Sequence, residues 1–274
     1  MHFTEKNPHT EQPSGKRAGG RSRRQGGRLW LACALMLLPV MSASAAREEL
    51  RGVHYRQTRV VYPENARNGV SVLLDNNGAD DMLIQAYVRR VDPDTDAPAG
   101  EVSFLKALPP LGRVNARDTT MLRLLRTGGD LPTDRESVFY LTSRLIPVEQ
   151  GQQKPATRSR LIMELSMKVF WRPASLPAGG LREASGLLQP QISGTTLRLR
   201  NPGPFWVPLR MLSVEGQRLP ANALFPMVPP FGERAWPLPA GVIVRDKMNV
   251  SWVSILESGV NSETYSRRVS AGAK

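Results

Sequence analysis

The sequence contains one cysteine, Cys33, and three histidines in 274 residues. Cys33 lies in an apolar run that we expect to be removed with a signal peptide, so the remaining chain would have no disulfide bond. Its stability must then come from burial of apolar side chains in domains of adequate size. His54 would be the only histidine left, which supports neither a metal site nor a histidine-based hydrolase. We therefore predict no metal ion and no other cofactor.

Basic runs with interleaved aromatic residues are also lacking, although the formal net charge is +13. Residues 1–45 contribute seven of the 37 Lys and Arg residues and two of the 24 acids, which leaves 30 basic and 22 acidic residues and a charge of +8. The arginines of that remainder are scattered along the chain. We therefore predict no nucleic-acid partner.

The first 45 residues have the pattern of a secretory signal peptide. A basic lead precedes an apolar run of 13 residues, 29–41, and the small residues Ala43, Ser44 and Ala45 follow. The run is short for a bilayer span, so a membrane anchor is the less favoured alternative. We expect cleavage after Ala45 and export to the periplasm, where a chain without cysteines can be stable.

Amphipathic helices are lacking between the β-type segments that follow, which favours antiparallel β-sandwiches. Segments with β-branched or aromatic residues alternate with turn residues such as Asn76, Asn77 and Gly78. The predicted strands of the first half are residues 53–62, 69–76, 82–91, 119–126, 137–146 and 161–173. Those of the second half are residues 195–201, 205–214, 235–244 and 248–257.

Residues 174–186 are rich in glycine, alanine and proline and are predicted to connect two domains. We place the first domain at residues 46–174 and the second at residues 175–274. Each has about the size of an immunoglobulin-like domain, roughly 100 residues. The tail from residue 266 onward is expected to fray.

The segment that begins at Leu161 has an apolar side chain at every second position as far as Trp171. Side chains two apart share one face of a strand, so this pattern predicts a long strand with a continuous apolar face. Two accounts of that face are open. It packs wholly into its own domain, or Leu161, Met163 and Leu165 contact a partner while Val169 and Trp171 stay in the core.

Five segments, in this order, resemble signature segments of periplasmic chaperones of the chaperone–usher pilus pathway. They are TRVVYPE (residues 58–64), RTGGDLPTDRESVFYL (126–141), IP (146–147), MKVFWRP (167–173) and LRNPGPFWV (199–207). The resemblance, closest to the short-loop type, implies two immunoglobulin-like β-sandwich domains in an L-shaped arrangement. It also implies donor-strand complementation, in which the chaperone lends a strand to a pilus subunit before delivery to an outer-membrane usher.

The resemblance assigns roles to individual residues. Arg59 and Lys168 would bind the C-terminal carboxylate of the subunit, because both cations can make charge-assisted hydrogen bonds with it. Leu161, Met163 and Leu165 would be the donor-strand contacts that fill the groove of the subunit.

An interdomain ion network is implied as well. Its members here would be Glu136, Arg172 and Glu257, and Glu257 stands where the family has an aspartate. Such a network would fix the angle between the domains more than it would stabilise either one.

No Ser/His/Asp, Cys/His or paired-carboxylate arrangement is apparent, so we predict that the chain is not an enzyme and has no small-molecule substrate. Two alternatives remain: a structural or adhesive surface protein built of immunoglobulin-like domains, and a sandwich enzyme, for which no acid/base pair is found. The predicted partners are pilus subunits and an outer-membrane usher. Self-association of the free protein is left open.

Overall fold

The computed structural model describes residues 52–148 and 161–272. The predicted signal peptide, residues 1–45, lies outside the described residues. The described part is nearly all β, and none of its helices is long and apolar enough to cross a membrane.

Ten strands form the first sandwich, and their bounds follow. They are β1 (Val53–Tyr55), β2 (Arg59–Pro63), β3 (Val70–Asn76), β4 (Met82–Val91), β5 (Pro98–Glu101), β6 (Leu105–Leu108), β7 (Leu111–Val114), β8 (Asp118–Arg126), β9 (Ser137–Pro147) and β10 (Met163–Arg172). One sheet has the order β1-β3-β8-β6. The other has the order β2-β10-β9-β4-β5, with β7 also paired to β4.

The core of this sandwich lies between the two sheets. Val72 on β3 and Leu124 on β8 are fully buried from one side, and Ile84, Leu141 and Val169 are buried from the other. In β3 and β8 buried positions alternate with more exposed ones, as expected for strands with one face on a core.

The prediction of one strand over residues 53–62 was wrong. Two strands occupy this stretch: β1 pairs antiparallel with β3 in one sheet, and β2 pairs parallel with β10 in the other. Between them the side chain of Arg56 donates hydrogen bonds to Asp75 on β3 and Thr119 on β8. The change of sheet brings β2 alongside the second half of β10.

The second sandwich is built from the remaining elements. They are α1 (Gly180–Gly186), β11 (Gln189–Ser193), β12 (Thr196–Arg200), β13 (Leu209–Val214), β14 (Gln217–Arg218), the 3-10 helix Ala221–Leu224, β15 (Glu233–Pro237), β16 (Lys247–Ser254) and β17 (Tyr265–Gly272). The strand order is β14-β13-β16-β17-β11-β12-β15. A short parallel pairing of β17 with β11 connects the two layers of this sandwich. The layers enclose a core around Leu197 and Trp252.

Three expectations for this half were wrong. The predicted connection contains helix α1, because Leu181 and Ala184 are buried in the core of the second domain. The tail that was expected to fray forms β17, which pairs with β16 from Tyr265 onward. The predicted strand over residues 235–244 is also shorter, since β15 ends at Pro237, where proline has no N–H to donate.

A small apolar cluster lies where the two domains meet. Val138 and Phe170 of the first domain pack with Met227 of the second, and Val91 and Trp206 border them. This contact places the second half of β10 against loops of the second domain.

Candidate functional site

Strand β10 has an unpaired edge over half of its length. It pairs with β9 from Met163 to Trp171, but its other edge pairs with β2 only from Lys168 onward. Over residues 163–167 that other edge, called here the free edge, has no partner among the strands that the structure describes. Unpaired N–H and C=O groups along a strand can accept a further strand. Such a strand would end where β2 begins.

The apolar face of β10 is graded from open to buried. Leu161 is 73% exposed, Met163 and Leu165 are half-buried at the border of the core, and Met167 is buried. The predicted donor-strand contacts are therefore not sealed within their own domain. Ile162, an even-numbered position outside the alternating apolar set, is also exposed, at 55%.

The two predicted carboxylate ligands lie beside the end of the free edge. Arg59 is the first residue of β2 and is the direct neighbour of Lys168 in the parallel pair. Arg59 Nη1 donates a hydrogen bond to the carbonyl oxygen of Ile255 at 3.1 Å. Lys168 Nζ donates to the carbonyl oxygen of Phe225 at 3.4 Å and lies 4.8 Å from the centre of the Phe225 ring. Both acceptors belong to the second domain, so each domain contributes to the geometry of this cation pair.

The acids near Arg59 and Lys168 do not offset the effect of burial on the pKa values of these two cations. Burial lowers the pKa of the Arg59 guanidinium, and the charge of Glu136 opposes this shift. Burial also lowers the pKa of Lys168 to about 8, opposed by the charge of Asp96 and reinforced by Arg59 and Arg234. The buried Nε of Arg59 has no hydrogen-bond partner. A carboxylate at this point would supply both the missing charge and acceptor atoms.

The three residues of the predicted ion network are in contact. Arg172 Nη2 lies 2.7 Å from Glu136 Oε1 and 2.8 Å from Glu257 Oε1, and the side chains of Arg172 and Glu136 are only 6% and 2% exposed. Glu257 Oε2 also accepts a hydrogen bond from the backbone N–H of Gly179 at the start of α1. Burial raises the pKa of Glu136, although Arg172 opposes the shift.

Residues that sequence reasoning missed complete the attachment of Glu136. Its carboxylate accepts a hydrogen bond from the Trp206 backbone N–H at 3.1 Å, and its carbonyl oxygen accepts one from the Trp206 indole, also at 3.1 Å. The backbone N–H of Glu136 donates a hydrogen bond to the carbonyl oxygen of Pro204 at 2.9 Å. The sequence marked residues 199–207 as a signature segment, but only the structure shows that this segment holds Glu136.

Asp96 and Arg234 were missed too. Asp96 closely follows the turn residues Asp92, Pro93 and Asp94. Its carboxylate is wholly buried and lies 2.9 Å from Arg234 of the second domain. No local pattern in the sequence distinguishes this aspartate from its exposed neighbours.

The site is an open strand edge and not an enclosed pocket. The cavity bordered by Arg59, Phe170 and Arg172 has a volume of about 10 Å³, the space of a single water molecule. Within the two described ranges, no group of three or more His, Cys, Asp or Glu side chains is placed to hold a metal ion. The arrangement is suited to an extended chain with a terminal carboxylate.

Comparison with known proteins identifies the family. Residues 52–177 match the family model for the pili and flagellar-assembly chaperone PapD N-terminal domain, and residues 183–266 match the model for the pili assembly chaperone PapD C-terminal domain. The chain belongs to this family of pilus-assembly chaperones. Chaperone protein AfaB of Escherichia coli is 33% identical over 219 residues, which cover 75% of this chain and 84% of AfaB. Chaperone protein FimC of Escherichia coli K12 is 31% identical over 211 residues, covering 77% and 82%.

Solved structures agree with this assignment. A chain in the complex of Salmonella enterica SafA pilin with the SafB chaperone has a TM-score of 0.67 and 26% identity, covering 80% of this pilus chaperone and 96% of that chain. The Escherichia coli chaperone DraB has a TM-score of 0.65 and 29% identity, covering 79% and 98%. The predicted family, the fold class with two immunoglobulin-like domains and the function of periplasmic pilus-assembly chaperone are confirmed.

Proposed function

We propose that this chaperone lends the free edge of β10 to a pilus subunit and holds the C-terminal carboxylate of that subunit between Arg59 and Lys168. The observation that carries the proposal is the coincidence of the two features: β10 loses its second partner strand at the position where the cation pair stands. In a solved complex, the SafB chaperone binds the SafA pilin, which supports a pilus subunit as the guest here.

The position of the cations sets the direction of the guest strand. A guest chain that ends at Lys168 must extend back along the free edge toward Leu161, so it runs parallel to β10. Strand β2 is also parallel to β10 and continues the same edge from Arg59. Guest and β2 would therefore follow one another along one side of β10.

Apolar burial supplies most of the affinity in this proposal. Leu161, Met163 and Leu165 would each contribute about 1.5–3 kcal/mol on full burial, less for the two that are already half-buried. The backbone hydrogen bonds add little net free energy, because water satisfies the same groups before binding. Together with the fixed carboxylate they determine the register.

The rest of the chain serves this site. Glu136, Arg172 and Glu257 would hold the two domains at a fixed angle, so that Ile255 and Phe225 keep their contacts with the cations. Separate hydrophobic cores support domains at residues 46–174 and 175–274. Residues 1–45 would direct export and be removed, and an outer-membrane usher would receive the loaded subunit. The chain would act without catalysis, nucleic acid or a small-molecule substrate.

The experiment co-expresses the chaperone with a pilus subunit of the same organism and measures the yield of the one-to-one complex. Leu161→Asp combined with Met163→Asp should abolish the complex, because two charges would enter the apolar groove of the subunit. Ile162→Asp is the matched control, since Ile162 is an exposed apolar residue that lies between the two altered positions but does not belong to the alternating apolar set. Arg59→Ala and Lys168→Ala should each abolish capture while the domains stay folded.

The proposal would be refuted by equal loss in Ile162→Asp and in the double variant, or by wild-type recovery in Arg59→Ala and Lys168→Ala. Far-UV circular dichroism of each variant separates loss of capture from loss of fold. Recovery of the free wild-type protein as a dimer that dissociates when the subunit is added would show that the free edge also pairs with a second copy.

A further inference from the structure

A cluster of hydrogen bonds joins the turn between β4 and β5 to the second domain. Asp96 Oδ1 accepts from Arg234 Nη2 at 2.9 Å, and Asp96 Oδ2 accepts from the backbone N–H of Met227 at 2.5 Å. The carbonyl oxygen of Asp96 accepts from the Tyr140 hydroxyl at 2.7 Å. Asp96 is therefore tied to β9 of its own domain and to two segments of the other.

Arg234 makes further hydrogen bonds to this turn and to Met227 of its own domain. Its guanidinium donates to the carbonyl oxygens of Met227 at 3.2 Å, Asp94 at 3.3 Å and Pro93 at 3.5 Å. A buried carboxylate is stable only when it is paired and hydrogen-bonded, and that of Asp96 meets both conditions. The turn and the segment at Met227 are thus held in one arrangement.

This arrangement continues to Lys168. Met227 lies two residues after Phe225, whose carbonyl oxygen accepts the hydrogen bond from Lys168 Nζ. On the other side, Tyr140 is the direct cross-strand neighbour of Lys168 in the β9–β10 pair. Asp96 therefore contacts the segment that accepts the Lys168 hydrogen bond, through Met227, and the strand next to Lys168, through Tyr140.

We propose that Asp96 is a positioning residue for Lys168: it fixes the segment from Phe225 to Met227 that accepts the ammonium hydrogen bond, and it supplies buried negative charge among the cations Arg59, Lys168 and Arg234. The proposal rests on the proposed function in taking Lys168 as the residue that binds the subunit carboxylate.

Charged groups reach Lys168 from several elements. Arg59 comes from β2, Asp96 from the β4–β5 turn and Arg234 from β15, and the charge of Asp96 opposes those of the two arginines. Tyr140 on β9, the cross-strand neighbour of Lys168, is also titratable. Burial raises its pKa, and Asp96 adds to the rise, so the phenol is neutral at physiological pH.

The test measures the titration of Lys168 itself, without a guest, by NMR of the chaperone carrying isotope-labelled lysine side chains. After residue 45 the chain has only five lysines, so the spectrum is simple: Lys106, Lys154, Lys168, Lys247 and Lys274. Loss of one signal in Lys168→Arg assigns it. Asp96→Asn and Arg234→Gln break the same ion pair but change the local charge in opposite directions.

The titration midpoint of Lys168 should move down in Asp96→Asn, which loses the anion, and up in Arg234→Gln, which loses a cation. A purely structural role would move both variants in one direction. Tyr140→Phe, which keeps all charges, should leave the midpoint near that of the wild type. If Asp96→Asn fails to fold, Asp96→Glu takes its place: it keeps the charge but displaces the hydrogen bonds to Met227 and Arg234, so its midpoint should also differ from that of the wild type.

Unchanged midpoints, or shifts of the same sign in both variants, would overturn the inference. Its failure is distinguishable from failure of the proposed function, because the titration needs no subunit. A wild-type chaperone that captures no subunit would refute carboxylate binding, whereas the two opposite shifts would still show that Asp96 acts on Lys168.

Discussion

Replacement of Arg172 by methionine tests the interdomain ion network most directly. Arg172 is 6% exposed and lies between two carboxylates, at 2.7 Å from Glu136 and 2.8 Å from Glu257. Methionine fills a similar volume but leaves the buried carboxylate of Glu136 without its cation. Removing one partner of a buried ion pair costs about 3–5 kcal/mol, a large share of a total stability of about 5–15 kcal/mol.

The measurement is urea unfolding followed by tryptophan fluorescence, to which Trp206 at the domain interface contributes. Arg182→Met is the matched control, since Arg182 pairs with Glu263 but both side chains are more than half exposed. Exposed pairs contribute roughly 0–1 kcal/mol, so this control should stay within about 1 kcal/mol of the wild type. The double variant Glu136→Gln with Arg172→Met should recover part of the loss, because the buried charge of Glu136 is removed together with its cation, while the partly exposed Glu257 still loses its partner.

The loss in Arg172→Met should also depend on pH. Burial already raises the pKa of Glu136 against the opposing charge of Arg172, and without that charge the pKa must rise further. A carboxyl whose pKa is higher in the folded state binds more protons there, so its effect favours folding at low pH and is lost as the pH rises. The deficit should therefore be smaller at pH 5 than at pH 8. A deficit below about 1 kcal/mol at pH 8, or one that does not change with pH, would refute this account of the network.

Two further predictions concern the surroundings of Lys168 and Arg59. Burial lowers the pKa of Lys168 to about 8. The protonated fraction of Lys168 should therefore fall from about 0.9 at pH 7 to about 0.03 at pH 9.5. Affinity for the subunit should drop by up to about 30-fold, or about 2 kcal/mol. Titration calorimetry at both pH values should show this drop in the wild type and a nearly flat profile in Lys168→Arg, whose guanidinium stays protonated at both; equal profiles would contradict it. A Cβ at Gly259, where φ is +85°, would lie 2.6 Å from the Thr58 hydroxyl, whereas Gly241 has φ +81° and no neighbour within 4 Å. Gly241→Ala should lower the free energy of unfolding only by the left-handed backbone strain, about 1–2 kcal/mol. Gly259→Ala should lower it further, as measured by urea unfolding, and should also weaken subunit capture. Equal effects of the two substitutions would argue against close packing at Gly259.

Much of the first domain could be predicted from local pattern. Strand β4 has the predicted bounds, and β10 differs from its prediction by two residues at its start and one at its end. Alternation along a strand depends only on which face meets the core, so the residues of one segment carry the signal. Division of the stretch from Val53 to Pro63 between two sheets could not be predicted in this way, because both halves have suitable β residues and only their partners differ.

For the site, the sequence determined which side chains are available and, through resemblance, which of them to examine: Arg59, Lys168, Arg172, Glu136 and Glu257. Tertiary structure alone decided what holds them. Ile255 is 196 positions from Arg59 and Arg234 is 138 from Asp96, and such contacts depend on how two folded domains meet. A buried aspartate and an exposed one have the same local sequence pattern, and only packing against the second domain makes Asp96 different from its neighbours.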